Sequence, residues 1–284
     1  MSARLPNFCI IGAQKSGTTS LAYYLRAHPD VFLAPGKEVH YFSLHYHKGT
    51  EWYKAHFAKA TTQRALGEAT PTYMAFEEAP ERMAAAVPEA RLIAILRNPV
   101  DRAYSHYWHN RSRYRESLAF VDALAAEPKR KASNDPVERK YRNHSYLERG
   151  RYLEQLQRFC QYYPREALLV LLFEDLRDAP LKTFQKVCRF LDIADTVAPG
   201  NLGVVFNRGG SLWQRSSRFR KLAWYLPMLQ KPINGGKEEN PSYPPIDPAL
   251  RAELQRQFVE DNAALAAWLG RNLSHWNSQP VAAG

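Results

Sequence analysis

Residues 8–21 read FCIIGAQKSGTTSL, and their spacing is that of a loop built to hold an anion. An apolar run from Phe8 to Ile11 leads into Gly12, and Gly17 follows after four residues, the G-x-x-x-x-G spacing of a phosphate loop. A nucleoside-triphosphate loop would continue Lys-Ser or Lys-Thr. Here the next residues are Thr18 and Thr19, and the only lysine, Lys15, lies inside the loop. The two glycines allow positive φ and close backbone approach. A helix starting near Thr18 would aim its first N–H groups and its dipole at the bound group. Lys15, Ser16, Thr18 and Thr19 can add one charge-assisted and several neutral hydrogen bonds.

A second cluster lies at RLIAILRNP, residues 91–99. An ATPase or GTPase of this topology would place an aspartate after the strand to hold Mg²⁺. This chain places Arg97 there, with Arg102 and Ser105 following in the next helix. A cation at that position repels a metal and invites a second anion. The two clusters together suit a ligand with two separate anionic groups and no metal.

These residues need a scaffold, and the apolar pattern predicts one. Phe8–Ile11, Leu92–Leu96 and Leu168–Phe173 are short continuous apolar runs, as in a parallel sheet covered on both faces. Helical spacing alternates with them over Thr18–Ala27, Pro99–Tyr114, Arg151–Tyr162 and Leu181–Leu191. A last helix opens with Asp247 as N-cap and Pro248 at its first position and stops at Gly270. Strand alternating with helix predicts an α/β doubly wound domain. Glu127–Arg142, polar and holding two prolines, reads as an exposed insertion. Pro199–Pro248 holds most of the Gly and Pro density and reads as a long excursion of the lid kind.

At 284 residues the chain suits one elaborated domain, residues 1–284. Hydrophobic residues make up 45% and charged residues 24%, which excludes a disordered chain. The net charge of +11 favours an acidic partner without choosing among nucleic acid, anionic lipid, polyanionic sugar and phosphorylated cofactor. Three scattered cysteines, Cys9, Cys160 and Cys188, argue against a disulfide framework or zinc knuckle and suit a reducing compartment. The first residues carry no apolar leader, and the longest apolar run is too short to span a bilayer. A cytoplasmic protein is expected.

The loop GAQKSGTTSL, HPDVFLAPGKEVHYF, GEATPTY and RLIAILRNPVDRAYSHYWH occur in one order. Together they resemble the sulfotransferases that use 3′-phosphoadenosine 5′-phosphosulfate (PAPS), above all the branch with the heparan sulfate enzymes and many bacterial ones. The resemblance continues through SYLERGRYLEQLQRFCQYYPREALLVLLFEDL and FNRGG, so it spans most of the chain. It implies a P-loop NTPase-like three-layer α/β fold with a central parallel sheet. It also implies a donor with a 5′-phosphosulfate and a 3′-phosphate, transferred without a metal and leaving adenosine 3′,5′-bisphosphate (PAP).

By resemblance, Gln14, Lys15, Ser16, Gly17, Thr18 and Thr19 cradle the phosphosulfate, with Lys15 on the bridging oxygen. Arg97 and Ser105 hold the 3′-phosphate, and Arg208, Gly209 and Gly210 lie over the nucleotide. Glu38 matches the glutamate of the heparan sulfate enzymes' EVHFF-like segment and is expected to take the acceptor's proton. His40 is the second candidate base, ahead of His106 and His109, and Glu68 is a further carboxylate. His40, Glu68, Arg149 and Tyr152 are expected beside the acceptor, a hydroxyl of a glycan, lipid or other small molecule. Many heparan sulfate enzymes carry lysine where this chain has Ala69, which argues against a heparan-type acceptor.

Two other readings remain at this point. A P-loop kinase would need its lysine at position 18 and a metal carboxylate near position 97. A non-catalytic anion-binding protein would use the basic surface, but the charge is spread along the chain and no nucleic-acid motif is visible, so nucleic acid is not expected as partner.

Overall fold

The predicted apolar runs become strands, and two further strands join them. The computed structural model describes residues 4–36, 38–133, 143–200, 202–203 and 243–278. Along the chain come β1 (Phe8–Gly12), α1 (Thr18–Arg26), β2 (Val31–Leu33), α2 (Gly49–Lys54), β3 (Ala65–Ala69), α3 (Ala79–Ala86) and β4 (Arg91–Leu96). They are followed by α4 (Pro99–Arg111), α5 (Phe120–Lys131), α6 (Tyr152–Cys160), β5 (Leu168–Leu172), α7 (Phe173–Asp178) and α8 (Pro180–Leu191). The last helices are α9 (Pro248–Gln257) and α10 (Val259–Leu269). The chain divides into two compact units, Met1–Leu96 with Arg158–Pro241, and Arg97–Gln157 with Ser242–Gly284.

The first unit holds one five-stranded sheet in the order β2-β3-β1-β4-β5, with every neighbouring pair parallel. Alternate side chains point to opposite faces of a strand. Phe8, Ile10, Ile93 and Ile95 share one core cluster with Leu21 and Leu25 of α1 and Phe184 and Val187 of α8. The alternating Cys9, Ile11, Leu92, Ala94 and Leu96 are just as fully buried. Both faces are therefore covered, which is why these strands read as unbroken apolar runs. This is the expected α/β, P-loop NTPase-like layered fold. In strand order the chain leaving β1 goes to β2 on one side of it and the chain leaving β4 goes to β5 at the opposite edge. The topological switch point, where open α/β sheets form their ligand crevice, lies at the carboxyl ends of β1 and β4.

The structure adds two strands and corrects two expectations. β2 and β3 were not visible as apolar runs: the former has three residues, and the latter, ALGEA, holds a glycine and a glutamate yet is wholly buried. Glu127 does not open an exposed insertion. It lies in α5, with Pro128 accommodated in the last turn, and its buried carboxylate accepts the Leu147 and Glu148 N–H groups at 2.8 and 3.0 Å. The C-terminal helix is two helices, because the chain leaves helical geometry at Phe258 (φ −105°, ψ 2°). Its ends are as expected: Asp247 accepts the Leu250 N–H at 2.8 Å, and Gly270 caps the end at φ 63°. Among the described residues no helix is long and apolar enough to cross a membrane.

The second unit is helical. Val100, Ala103 and Tyr107 of α4 pack with Phe120 and Leu124 of α5, with Tyr146, and with Leu254 and Phe258. Glu116 ties this core together. Its carboxylate receives both Nη groups of Arg130 at 2.6 and 3.0 Å, the Tyr146 hydroxyl at 2.9 Å and the Leu118 N–H at 3.0 Å. Burial alone would raise its pKa, but these donors outweigh burial and hold it at about 2. A folded pKa below the unfolded value of 4.5 stabilises the protein above pH 4.5, and that stabilisation drains away as pH falls toward 2. Glu116→Gln should therefore lower the melting temperature at pH 7 and flatten its decline between pH 4.5 and 2. An unchanged acid limb in that variant would remove Glu116 from this role.

Candidate active site

β1 ends at Gly12 because no side chain fits there: a Cβ would lie 2.5 Å from Met74 Cβ and 2.6 Å from its sulfur. The loop then turns through Lys15 at φ 72° and Gly17 at φ 93°, and Gly17 is the N-cap of α1. That cap has no side-chain hydrogen bond, and the first turn of α1 holds no acidic residue. The helix thus presents its first N–H groups and positive dipole end to the loop, with no carboxylate in its own first turn to neutralise them. Gln14, Lys15 and Thr19 are half-buried and Thr18 is buried. Ser16 is completely buried, and its hydroxyl has no hydrogen-bond partner among the described residues. A buried hydroxyl left unpaired costs on the order of 1–3 kcal/mol, so such an atom needs an explanation. A bound anion would supply one, and a helix N-terminus with hydroxyl and ammonium side chains beside it has the chemistry to hold an anion.

The second element of the site follows β2. Glu38 and His40 both hold positive φ, 75° and 57°. Among the described residues five non-glycine residues do so, and Lys15, Glu38 and His40 are three of them. Such conformations cost about 1–3 kcal/mol each and persist only where surrounding contacts enforce them, as at functional sites. Glu38 Oε2 lies 3.2 Å from His40 Nε2. Thr72 Oγ1 lies 3.3 Å from His40 Nδ1, and Ser43 Oγ is at the same distance. When a hydroxyl donates a hydrogen bond to Nδ1, Nε2 is the protonated nitrogen and can donate to Glu38. The expected base and its second candidate thus form one pair. A five-residue π-helical turn, Tyr41–His45, begins directly after them.

Glu68, expected beside the acceptor, is instead in the interior at 1% exposure. Its carboxylate accepts the hydroxyls of Tyr53 (2.7 Å), Tyr73 (2.9 Å) and Thr70 (2.6 Å). Burial pushes its pKa up, opposed by these three hydrogen bonds and by His40. Direct contact with an acceptor does not suit that burial. Tyr53, Thr70 and Tyr73 were not singled out from the sequence, where only GEATPTY hinted at a hydroxyl-rich turn.

In the second unit Arg97 directly follows β4 and is half-buried. Its carbonyl accepts the Tyr152 hydroxyl at 2.7 Å, and Tyr152 is 1% exposed. Tyr152 therefore holds the Arg97 backbone. Ser105 is buried in α4, whose N-cap Asn98 accepts the Val100 and Asp101 N–H groups at 3.0 and 3.3 Å. Arg102 is fully buried, donates to the Tyr146 carbonyl, and leaves Nε and Nη1 without a hydrogen bond among the described residues. Burial lowers its pKa, and Arg97 adds to that lowering, while Tyr152 and Glu127 oppose it. Arg149 is buried as well, and His106 packs edge-on against Tyr146 at 5.1 Å. Arg208, Gly209 and Gly210, with most of the 199–248 excursion, lie outside the described residues.

A five-stranded parallel sheet of this order, with a glycine loop between β1 and α1, defines an α/β fold of the P-loop NTPase-like class. Residues 5–201 match the family described as "Sulfotransferase domain", and the chain belongs to that family. It is 31% identical over 294 residues to "Bifunctional heparan sulfate N-deacetylase/N-sulfotransferase 3" of Mus musculus, covering 98% of this chain and 32% of that protein. With "Bifunctional heparan sulfate N-deacetylase/N-sulfotransferase 2" of Homo sapiens the identity is 36% over 202 residues, covering 67% and 22%. The chain thus spans about a third of the length of the curated relatives it matches, or less. The crystal structure of a sulfotransferase from Alicyclobacillus acidocaldarius superposes with a TM-score of 0.75 at 29% identity, covering 97% of this chain and all of that one.

The loop geometry generates a stability prediction. Gly12→Ala should destabilise the protein by about 1–3 kcal/mol in urea denaturation, the range for overpacking. Met74→Ala keeps the Met74 Cβ and so should give the double variant little relief. Full recovery in the double variant would mean that the thioether, not the backbone approach, sets the constraint.

Proposed function

We propose that the chain is a sulfotransferase that moves a sulfuryl group from PAPS to an acceptor hydroxyl. The observation that carries this reading is the buried, unpartnered Ser16 hydroxyl beside the acid-free N-terminus of α1. Family membership supports it. Gln14 to Thr19 would hold the phosphosulfate, Arg97 and Ser105 the 3′-phosphate, and Arg208 to Gly210 the nucleotide. When bound, the donor supplies an activated sulfuryl group and PAP as leaving group.

Each residue's task follows from its chemistry. Lys15 sets a positive charge where the leaving phosphate gains negative charge, an electrostatic contribution largest in the transition state. Glu38 accepts the acceptor hydroxyl's proton as the new S–O bond forms and the old one breaks. His40, hydrogen-bonded to Glu38, fixes that carboxylate's direction and can share the proton. Tyr152 steadies Arg97 through its carbonyl. The acceptor class is a hydroxylated glycan, lipid or other small molecule. The relatives' names specify N-sulfotransfer on heparan sulfate, so an amino sugar belongs in any acceptor panel beside hydroxyl compounds.

PAP should raise the melting temperature without Mg²⁺, and ATP should do so weakly. A ligand that binds only the native state stabilises by about 2.7 kcal/mol at a hundredfold excess over its dissociation constant. Equal shifts from ATP, or a need for Mg²⁺, would support a kinase-like protein instead.

Two variants should separate leaving-group stabilisation from proton removal. Lys15→Ala should lower kcat by roughly 10²–10³, the scale for losing one electrostatic donor. Glu38→Gln should lower kcat by roughly 10²–10⁴ with PAP affinity unchanged. An acceptor already ionised at the assay pH should rescue Glu38→Gln and not Lys15→Ala. Near wild-type turnover of a hydroxyl acceptor by Glu38→Gln would transfer the base role to His40.

A further inference from the structure

We infer that Thr70 is a positioning residue for the Glu38–His40 pair, and that the buried carboxylate of Glu68 orients it. The inference rests on the proposed reading of Glu38 as the base. Thr70 makes contacts in three directions within the first unit. Its N–H donates to the Ile10 carbonyl of β1 at 3.1 Å, two residues before Gly12. Its hydroxyl donates to Glu68 Oε2 at 2.6 Å and accepts the His40 N–H at 3.3 Å. Its carbonyl accepts the Tyr73 N–H at 3.0 Å, which starts the short turn carrying Met74 against Gly12.

The direction of the hydroxyl proton fixes what Thr70 can offer. A threonine hydroxyl has one proton and two lone pairs. Tyr53 and Tyr73 both donate to Glu68 Oε1, so Oε2 is the oxygen left to receive Thr70. With its proton committed there, Thr70 must offer a lone pair to the His40 N–H. That N–H belongs to a residue in the left-handed region, where no strand or helix ladder supplies an acceptor. Thr70 therefore links the strand that leads into the glycine loop to the strained backbone that aims His40 and Glu38. Its backbone N–H on β1 and its hydroxyl on the His40 N–H thus make one residue a link between the loop and the base.

The test compares Thr70→Val, Thr70→Ser and Glu38→Gln in the full chain, with PAPS as donor and an acceptor that the wild type turns over. Valine keeps the shape and removes the hydroxyl, whereas serine keeps the hydroxyl. Misplacement of a reacting group by about 1 Å can cost on the order of a hundredfold in rate. Thr70→Val should lose about ten- to a hundredfold in kcat, with donor KM and calorimetric PAP affinity unchanged, and Thr70→Ser should retain most of the activity. A folded Thr70→Val with wild-type kcat, alongside an inactive Glu38→Gln, overturns the role of Thr70 alone. So does a serine variant no better than valine, or a kcat loss matched by weakened PAP binding, since both indicate a general structural role. An active Glu38→Gln instead overturns the base reading, and this inference with it. If Thr70→Val does not fold, Thr70→Ala is judged by the same criteria. If neither folds, Thr70 is a folding residue and the inference fails.

Discussion

A carboxylate placed in the middle of a parallel sheet, away from water, must be solvated by the protein or abandoned. Glu68 stands in β3 between the flanking strands β1 and β2. Leaving its charge unpaired there would cost several kcal/mol or force it to take up a proton. Three hydroxyls meet it instead, drawn from Tyr53, Thr70 and Tyr73. That requirement reaches outward. Tyr53 stacks on Tyr41 with ring centroids 4.4 Å apart, and Tyr41 opens the π-helical turn after His40. Phe42 packs edge-on against both Tyr53 and Tyr73. A polar demand at one strand position thus orders the aromatic core around residues 41–57 and the turn at residues 70–75.

The same carboxylate explains where sequence reading succeeds and where it stops. β1, β4 and β5 are legible because burial on both faces selects continuous apolar residues. β3 is not, since Gly67 and Glu68 interrupt the run. Gly67 is there because a Cβ would meet the Phe8 ring at 2.3 Å, a contact between strands that no local pattern encodes. The glycine loop is legible because its function depends on spacing within ten residues. Glu38 and His40 were found as neighbours in a motif. Their pairing is local too, but two of the three hydroxyls on His40 come from residues about thirty positions away. Arg149 and Tyr152 were read as acceptor contacts from their place in LERGRY; both are buried in the second unit, and the Tyr152 hydroxyl donates to the Arg97 carbonyl. One-dimensional pattern does not distinguish a polar residue that faces a ligand from one that supports its neighbour's backbone.

Strain and support balance each other at Lys15, Glu38 and His40. Each left-handed residue subtracts from a stability that totals only about 5–15 kcal/mol for a typical domain. A helix or strand could relax any of them, so neighbouring contacts must oppose relaxation. For His40 they are visible: its N–H on Thr70, its Nδ1 beside the Thr72 and Ser43 hydroxyls, and its Nε2 on Glu38. Substitutions that relieve the strain are expected to stabilise the fold while loosening the geometry, the usual opposition between stability and activity.

The proposed chemistry also accounts for the residue types. A phosphoryl group in transfer resembles metaphosphate and carries net negative charge, so phosphoryl-transfer sites hold divalent cations to neutralise it. The corresponding sulfuryl group, SO₃, is neutral overall. Less charge must be offset at the reacting centre, and what remains collects on the departing phosphate. One ammonium placed in the loop can meet that need, and a carboxylate to bind Mg²⁺ after β4 would only repel a second phosphate. Lys15 within the loop and Arg97 after β4, which look like errors in a kinase, are on this reading the substitutions that the lower charge of a sulfuryl group permits.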